Sequence, residues 1–72
     1  MSKPVLINNI RDLRFEQGRM SQQALADAVG CTRQTIIMLE QGRYSPSLTL
    51  AFAIASVFNR SIEEIFQVKN SL

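Results

Sequence analysis

Two short helical segments with clear start and end signals follow one another in the middle of the chain. Ser21 precedes a segment whose apolar residues Leu25 and Val29 lie one helical turn apart, and Gly30 follows it directly. Serine is a preferred N-cap, and glycine readily adopts the positive φ that ends many helices. Thr32, two residues beyond Gly30, is the expected N-cap of the next helix. This spacing predicts two short helices separated by a tight turn.

Helical periodicity also organises the residues on either side of these segments. Leu6, Ile10 and Leu13 stand at i, i+4 and i+7, which predicts a first helix that ends near Gly18. The third helix is expected to end at Gln41 and Gly42, where a turn-rich loop begins. The amino-terminal part of the chain is therefore predicted to contain three helices.

A fourth predicted helix differs from the others because it has almost no polar face. Ser47 is its expected N-cap, and the helix extends to about Phe58. A helix that is apolar on nearly all sides is buried on most of them, either within a bundle or partly against a second copy of the chain. Its apolar residues are Leu48, Leu50, Ala51, Phe52, Ala53, Ile54, Ala55, Val57 and Phe58.

Ser61 and Glu64 have the S-x-x-E spacing of a capping box, which predicts a short fifth helix. Residues 5–7 and 66–68, near the two ends of the chain, can both be extended and can pair with each other. The expected fold is therefore all-α with five helices, and a short β pairing between the two ends is an additional option.

Length and composition exclude several classes of function. A chain of 72 residues buries one small core, so residues 1–72 are expected to form a single domain. With one cysteine, Cys31, and no histidine, the chain has no internal disulfide, no Cys/His metal cluster and no histidine base for a catalytic triad. We therefore expect no enzymatic activity, no metal and no cofactor, and interpret Cys31 as a small buried residue rather than a redox sensor.

Compartment and partners are constrained less strongly. No apolar run approaches the roughly 20 residues of a membrane span, and the first residues lack the features of a signal peptide, so we expect a cytoplasmic protein with no membrane contact. The length also leaves no room for a ligand-sensing domain, so no small-molecule ligand is expected. The formal net charge of +2 permits an anionic partner without requiring one.

Residues 22–41 match the helix-turn-helix arrangement, in which the second of two short helices enters the major groove of DNA. Ala26 is small enough for the two helices to cross closely, and the second helix opens with long polar side chains. Four sequence blocks follow one another here: SQQALADAVG at 21–30, TRQTI at 32–36, LEQGRYSPSL at 39–48 and SIEEIF at 61–66. On these blocks, residues 10–66 resemble the Cro and phage-repressor type of helix-turn-helix regulators, also called the xenobiotic-response-element family.

The resemblance implies a lambda-repressor-like fold and a set of DNA contacts. Arg33 and Gln34 would read base edges, and by geometry arginine suits guanine while glutamine suits adenine. Met38, one turn beyond Gln34, matches another base-reading position, where its thioether would pack on thymine methyl groups or sugars. The recognition helix would span about 32–41.

The resemblance further implies that four residues contact the DNA backbone: Gln22, Thr32, Arg43 and Tyr44, with Ser45 a weaker candidate. Arg14 and Glu40 match positions that form an ion pair between the first and third helices in some relatives. That pair would be structural and only indirectly functional.

Each of these residues has an alternative interpretation. Without the helix-turn-helix context, Arg33 and Gln34 would be interpreted as solvated residues in the first turn of a helix. Gln22, at the start of the second helix, and Arg43, in the loop, have the same alternative. Tyr44 can simply cover the edge of the core. Met38 forms an apolar pair with Ile37 that can face the groove, the core or another protein.

These observations favour a sequence-specific, double-stranded DNA-binding transcriptional regulator. We expect a homodimer on a palindromic operator and repression by occupying promoter DNA, although activation through contact with polymerase is equally compatible. Phe58, Ile65 and Phe66 are the expected dimer interface. The alternative is a protein-interaction module of the same fold, such as an antitoxin-like or assembly partner.

Overall fold

The computed structural model describes residues 4–70 as five helices and two strands. In chain order they are β1 (Pro4–Asn8), α1 (Ile10–Glu16), α2 (Gln22–Val29), α3 (Arg33–Glu40), α4 (Leu48–Phe58), α5 (Ile62–Ile65) and β2 (Phe66–Asn70). The predicted five-helix architecture is confirmed. The optional pairing of the two ends is also present, and each strand is longer than the segment anticipated from the sequence.

The predicted N-caps begin four of the helices. The hydroxyl groups of Ser21, Thr32 and Ser47 accept hydrogen bonds from the backbone N–H groups three residues further on, at 2.9, 3.2 and 3.1 Å. Ser61 and Glu64 form the complete capping box at the start of α5. These bonds satisfy N–H groups that have no partner inside a helix, so local chemistry sets where the helices begin.

As predicted, α2 ends at a residue in the left-handed backbone conformation. Gly30 has φ +80° and its N–H donates to the carbonyl of Ala26 at 2.9 Å. The next N–H, that of Cys31, donates to the same carbonyl at 3.0 Å. Both bonds turn the chain sharply toward Thr32, so that only two residues separate Gly30 from the start of α3.

The core lies where all five helices meet. Its largest fully buried side chains are Ile10, Leu25, Ile36, Leu39, Ile54 and Ile65, and they are joined by Leu13, Ala26, Ala51, Ala55, Phe58 and Phe66. Every helix contributes at least one of these residues, so no helix packs independently of the others.

The placement of Phe58, Ile65 and Phe66 corrects their assignment to a dimer interface. They are only 2%, 0% and 7% exposed because they fill the core of a single chain. The apolar residues of α4 that do face outward are Leu48 and Phe52, which are 69% and 59% exposed. The helix is thus buried on one side, and its exposed side carries Leu48 and Phe52 together with the polar Thr49 and Ser56.

The two strands form an antiparallel pair in which Leu6 lies opposite Val68 and Ile7 lies opposite Gln67. Asn8, at the end of β1, connects this sheet to α3, because its side-chain amide donates to the carbonyl of Leu39 at 2.8 Å. Leu6 packs against the core, whereas Val68 remains 64% exposed. Leu6 and Asn8 therefore attach the sheet to the rest of the fold, while Val68, beside Leu6, and Val5 and Ile7 on the other face are exposed.

Candidate nucleic-acid interface

Helices α2 and α3 are held against each other and against the core by side chains on their inner faces. Leu25 and Ala26 of α2 and Ile36 and Leu39 of α3 are all 0% exposed. Ala26 has no side chain beyond Cβ, which permits the close helix crossing anticipated from the sequence. Because its inner face is fixed to the core, α3 holds its outer side in a fixed position.

That outer side carries the predicted base-reading residues. Arg33 and Gln34, in the first turn of α3, are exposed, and Met38, one turn further along, is half-buried. Thr32 is exposed as well, but its hydroxyl is engaged in capping α3 and lies 3.1 Å from the hydroxyl of Thr35. Thr32, Arg33 and Gln34 therefore lie at the start of α3, and Met38 lies one turn beyond Gln34 on the same helix.

The loop after α3 begins with a bond that directs its residues. The N–H of Arg43 donates to the carbonyl of Met38 at 2.9 Å, which closes the end of the helix. The side chains of Arg43 and Tyr44 are exposed, Tyr44 at 40%. Both interpretations of Tyr44, a contact with the DNA backbone and a cover for the edge of the core, stay predictions.

Arg33 and Arg43 supply positive charge at this surface. Arg14 and Arg60 form ion pairs with glutamates, whereas Arg33 and Arg43 form none with any carboxylate in residues 4–70. An unpaired, exposed guanidinium retains its full attraction for an anion, and its planar fork matches phosphate and guanine edges.

The predicted ion pair between α1 and α3 is confirmed. Arg14 donates from Nε to Oε2 of Glu40 at 2.6 Å and from Nη2 to Oε1 at 3.0 Å. Its remaining nitrogen, Nη1, donates to the carbonyl of Met20 at 2.7 Å. Each side chain is 8% exposed, and each of the three guanidinium nitrogens has a partner, so the pair is a nearly buried link among α1, the following turn and α3.

Gln22, the first residue of α2, is attached to this pair. Its side-chain nitrogen Nε2 donates to Oε1 of Glu40 at 3.1 Å. The residue is half-buried and borders a cleft of about 470 Å³ between α1 and α3. On the α3 side the cleft is lined by Ile37 and Gln41, which follow Arg33 along the helix at one-turn spacing.

The α1 side of this cleft holds two residues that the sequence interpretation did not select. Arg11 and Phe15 line it, and the Arg11 guanidinium carbon lies 5.7 Å from the centre of the Phe15 ring. The guanidinium of Arg14 lies 5.6 Å from the same ring, which is itself 50% exposed. The i, i+4 spacing of Arg11 and Phe15 was the available signal, since it places an arginine beside an aromatic ring on one helix face.

Cys31 occupies the turn between α2 and α3 and is half-buried. Desolvation by its surroundings raises the pKa of the thiol, which disfavours the reactive thiolate. Among residues 4–70 there is no group of three or more His, Cys, Asp or Glu side chains placed to hold a metal ion. Over the same residues, no helix has the length and apolarity needed to cross a bilayer.

Most of the chain is similar in sequence to known proteins. A model of the helix-turn-helix family matches residues 10–65. A protein of Archaeoglobus fulgidus named as an uncharacterized HTH-type transcriptional regulator is 53% identical over 57 residues, which cover 79% of this chain and 80% of that protein. A protein of Methanothermobacter thermautotrophicus with the same name is 59% identical over 58 residues, or 79% and 83% of the two chains.

Similarity extends to bacteria. The uncharacterized HTH-type transcriptional regulator YgzD of Bacillus subtilis is 42% identical over 59 residues, which cover 82% of this chain and 88% of that protein. Residues 10–65, which the family model matches, contain both helices of the motif, the loop after α3 and the helices that build the core. With the α2–α3 geometry and these matches together, the chain belongs to the helix-turn-helix family of the Cro and phage-repressor type.

Proposed function

We propose that this protein is a sequence-specific DNA-binding transcriptional regulator that acts in the cytoplasm as a homodimer and represses by occupying promoter DNA. The observation that carries the proposal is the exposed first turn of α3. There Arg33 and Gln34 are exposed on a helix that Ile36 and Leu39 fasten to the core. Residues that read bases need such a rigid support, because hydrogen bonds to base edges tolerate little displacement.

In this function the contacts divide into two kinds. Arg33 and Gln34 read base edges in the major groove, and Met38 packs against thymine methyl groups or sugars. Gln22, Thr32, Arg43 and Tyr44 bind the sugar-phosphate backbone and set the orientation of the helix. Their exposure or half-burial around the start of α2 and the two ends of α3 supports this division.

One such domain provides too little discrimination by itself. Each good bidentate base contact contributes about 1–3 kcal/mol, and only three or four side chains of the domain reach bases. A two-fold dimer that reads half-sites about 34 Å apart doubles the number of contacts, and a palindromic operator follows from its symmetry.

The second copy requires apolar surface outside the core. On α4 this surface consists of Leu48 and Phe52. On the sheet, Val68 is exposed on the face of Leu6, and Val5 and Ile7 are exposed on the opposite face. These side chains are 43–69% exposed, and burying such residues is the main favourable contribution to obligate association. Because Val68 faces away from Val5 and Ile7, we assign the dimer interface to Leu48 and Phe52 of α4 together with one face of the sheet.

Selection of bound fragments from random double-stranded DNA tests the proposal. A dimeric regulator selects a two-fold symmetric motif, and its affinity falls steeply with added salt because several phosphate contacts release counterions. The protein-interaction module would instead be indicated if no motif is selected and if the protein binds another protein with an affinity that hardly depends on salt.

The dimer is tested separately by mass measurement in solution. Phe52→Glu places a charge on α4 and Val68→Glu places one on a face of the sheet, so at least one of them should convert a dimer to a monomer. Glu63→Gln, an exposed change outside that surface, is the matched control. A wild-type protein that is monomeric at high concentration and also on DNA would overturn the homodimer.

A further inference from the structure

The carboxylate of Glu40 does more than neutralise Arg14. Its Oε2 accepts from Arg14 Nε at 2.6 Å, and its Oε1 accepts from both Arg14 Nη2 at 3.0 Å and Gln22 Nε2 at 3.1 Å. The ion pair is complete without the third bond. That bond joins a nearly buried group to a half-buried side chain at the start of α2.

The position of Glu40 is itself fixed. Arg14 binds it with two nitrogens and uses the third to bind the Met20 carbonyl at 2.7 Å, so the guanidinium cannot rotate without breaking a bond. Two parallel bonds between a guanidinium and a carboxylate also define a single plane. The acceptor that Gln22 meets is therefore held in place from α1 and from the turn that follows it.

The bond to Glu40 determines which group of the Gln22 side-chain amide faces the carboxylate. A carboxylate can only accept, so Gln22 must present its NH₂ group to Glu40 and not its carbonyl oxygen. One N–H of that group is used, and the second N–H is left for an acceptor outside the protein. A phosphate oxygen of DNA is an acceptor of this kind, whereas a group that can only donate is not.

Gln23 shows what a glutamine at the same helix end does without such an anchor. It is exposed and donates only to Asp27, four residues along the same helix, at 2.9 Å. Gln22 instead borders the cleft that Arg11 lines from α1. The two neighbouring glutamines thus differ in whether a distant, rigid group holds the amide.

We propose that Glu40, fixed by Arg14, is a positioning residue that orients the Gln22 amide to donate to a DNA phosphate. This inference rests on the proposed DNA-binding function and adds to it a role for a residue that does not itself touch DNA. Holding the side chain before binding removes part of the ordering cost, which corresponds to about a 2- to 10-fold gain in affinity for one long side chain.

The variant that isolates this role is Arg14→Met combined with Glu40→Met. It replaces a nearly buried ion pair by apolar side chains of similar volume, a change that proteins often tolerate, and it leaves the net charge at +2. DNA affinity is measured on the selected operator for the wild type, this double variant, Gln22→Met and the triple combination. Gln23→Met is the matched control.

The double variant should bind DNA about 2- to 10-fold more weakly than the wild type. In the Gln22→Met background the same double change should have no further effect, because the amide it positions is absent. In the Gln23→Met background the full loss should persist. Equal losses in all three backgrounds would overturn the positioning role and leave Arg14 and Glu40 as structural residues only.

A measurement on the unmodified protein gives a second readout that needs no variant to fold. The ¹⁵N relaxation of side-chain amides should show Gln22 as ordered as the backbone and Gln23 as mobile. Equal mobility of the two would overturn the inference. Failure of the wild type to bind any DNA would overturn the proposed function as well, so the two failures are distinguishable.

Discussion

The guanidinium of Arg14 and the carboxylate of Glu40 meet in two hydrogen bonds, at 2.6 and 3.0 Å, although the residues lie 26 positions apart in the chain. Each side chain is only 8% exposed. The pair joins the first helix to the end of the recognition helix, and removal of one partner leaves the other charge without compensation.

Glu40→Ala should therefore lower the free energy of unfolding by about 3–5 kcal/mol, the range for breaking a buried ion pair. Arg14→Met combined with Glu40→Met should restore most of that loss, because no unpaired charge remains. Denaturant unfolding followed by circular dichroism measures both changes. The control is Arg60→Ala, which removes exposed pairs with Glu16 and Glu64 at 3.6 and 3.7 Å and should cost at most about 1 kcal/mol. A Glu40→Ala cost as small as that of Arg60→Ala would contradict the prediction.

Gly30→Ala should destabilise the protein by about 1–2 kcal/mol through backbone strain alone. The residue has φ +80°, and a Cβ added there meets no atom within 4 Å, so no steric clash contributes. Gly30→Asn should cost less, since asparagine tolerates the left-handed conformation better than alanine. Thermal and urea unfolding of the three proteins gives the comparison, and an asparagine variant less stable than the alanine variant would argue against backbone strain as the cause.

Substitutions at the candidate interface should separate specificity from affinity. Arg33→Ala and Gln34→Ala should each cost about 1–3 kcal/mol on the preferred operator and relax the preference at one base position. Arg43→Ala should weaken binding to all sequences and reduce the slope of log affinity against log salt by about 1 per domain. Titrations of the selected operator and of a scrambled duplex at several salt concentrations measure these effects. An Arg33→Ala variant with unchanged affinity and preference would remove Arg33 from the recognition surface.

The capping box of α5 should make a small, acid-sensitive contribution to stability. The backbone N–H of Ser61, then its hydroxyl group and the nearby Arg60, lower the pKa of the Glu64 carboxyl. Because the folded-state pKa is the lower one, the stabilisation is fully present above the unfolded pKa of glutamate, about 4.3, and is lost as the pH falls through the folded value. Thermal unfolding should show wild type and Glu64→Gln diverging at pH 7 and converging in acid. A difference that is independent of pH would contradict the assignment.

The thiol of Cys31 should react slowly. It is half-buried, and desolvation raises its pKa, so little thiolate is present near neutral pH. A colorimetric disulfide reagent should label it more slowly at pH 7 than it labels free cysteine, and the rates should approach each other in denaturant. Fast labelling of the folded protein would favour the redox-sensor interpretation.

The local signals in this sequence were reliable because they depend on neighbours in the chain. The capping positions Ser21, Thr32, Ser47 and Ser61 bond to N–H groups three residues away, and Gly30 ends α2 through its own φ. These interactions are the same in any fold that contains the segment. The caps and motif blocks therefore sufficed to predict four of the helices, their order and the family. The spacing that placed Leu6 in the first helix was wrong, because Leu6 lies in β1.

Interactions between distant segments were decided only by the tertiary structure. Phe58, Ile65 and Phe66 are apolar whether they face a core or a partner, so their composition did not distinguish the two, and packing placed them in the core. Gln22 was expected to contact DNA or to be solvated, and its bond to Glu40, 18 positions away, depends on how α2 crosses α3. Helix boundaries follow from short-range hydrogen bonds that the sequence encodes directly. Burial and long-range partners follow from the relative placement of helices, which exists only once the whole core has formed.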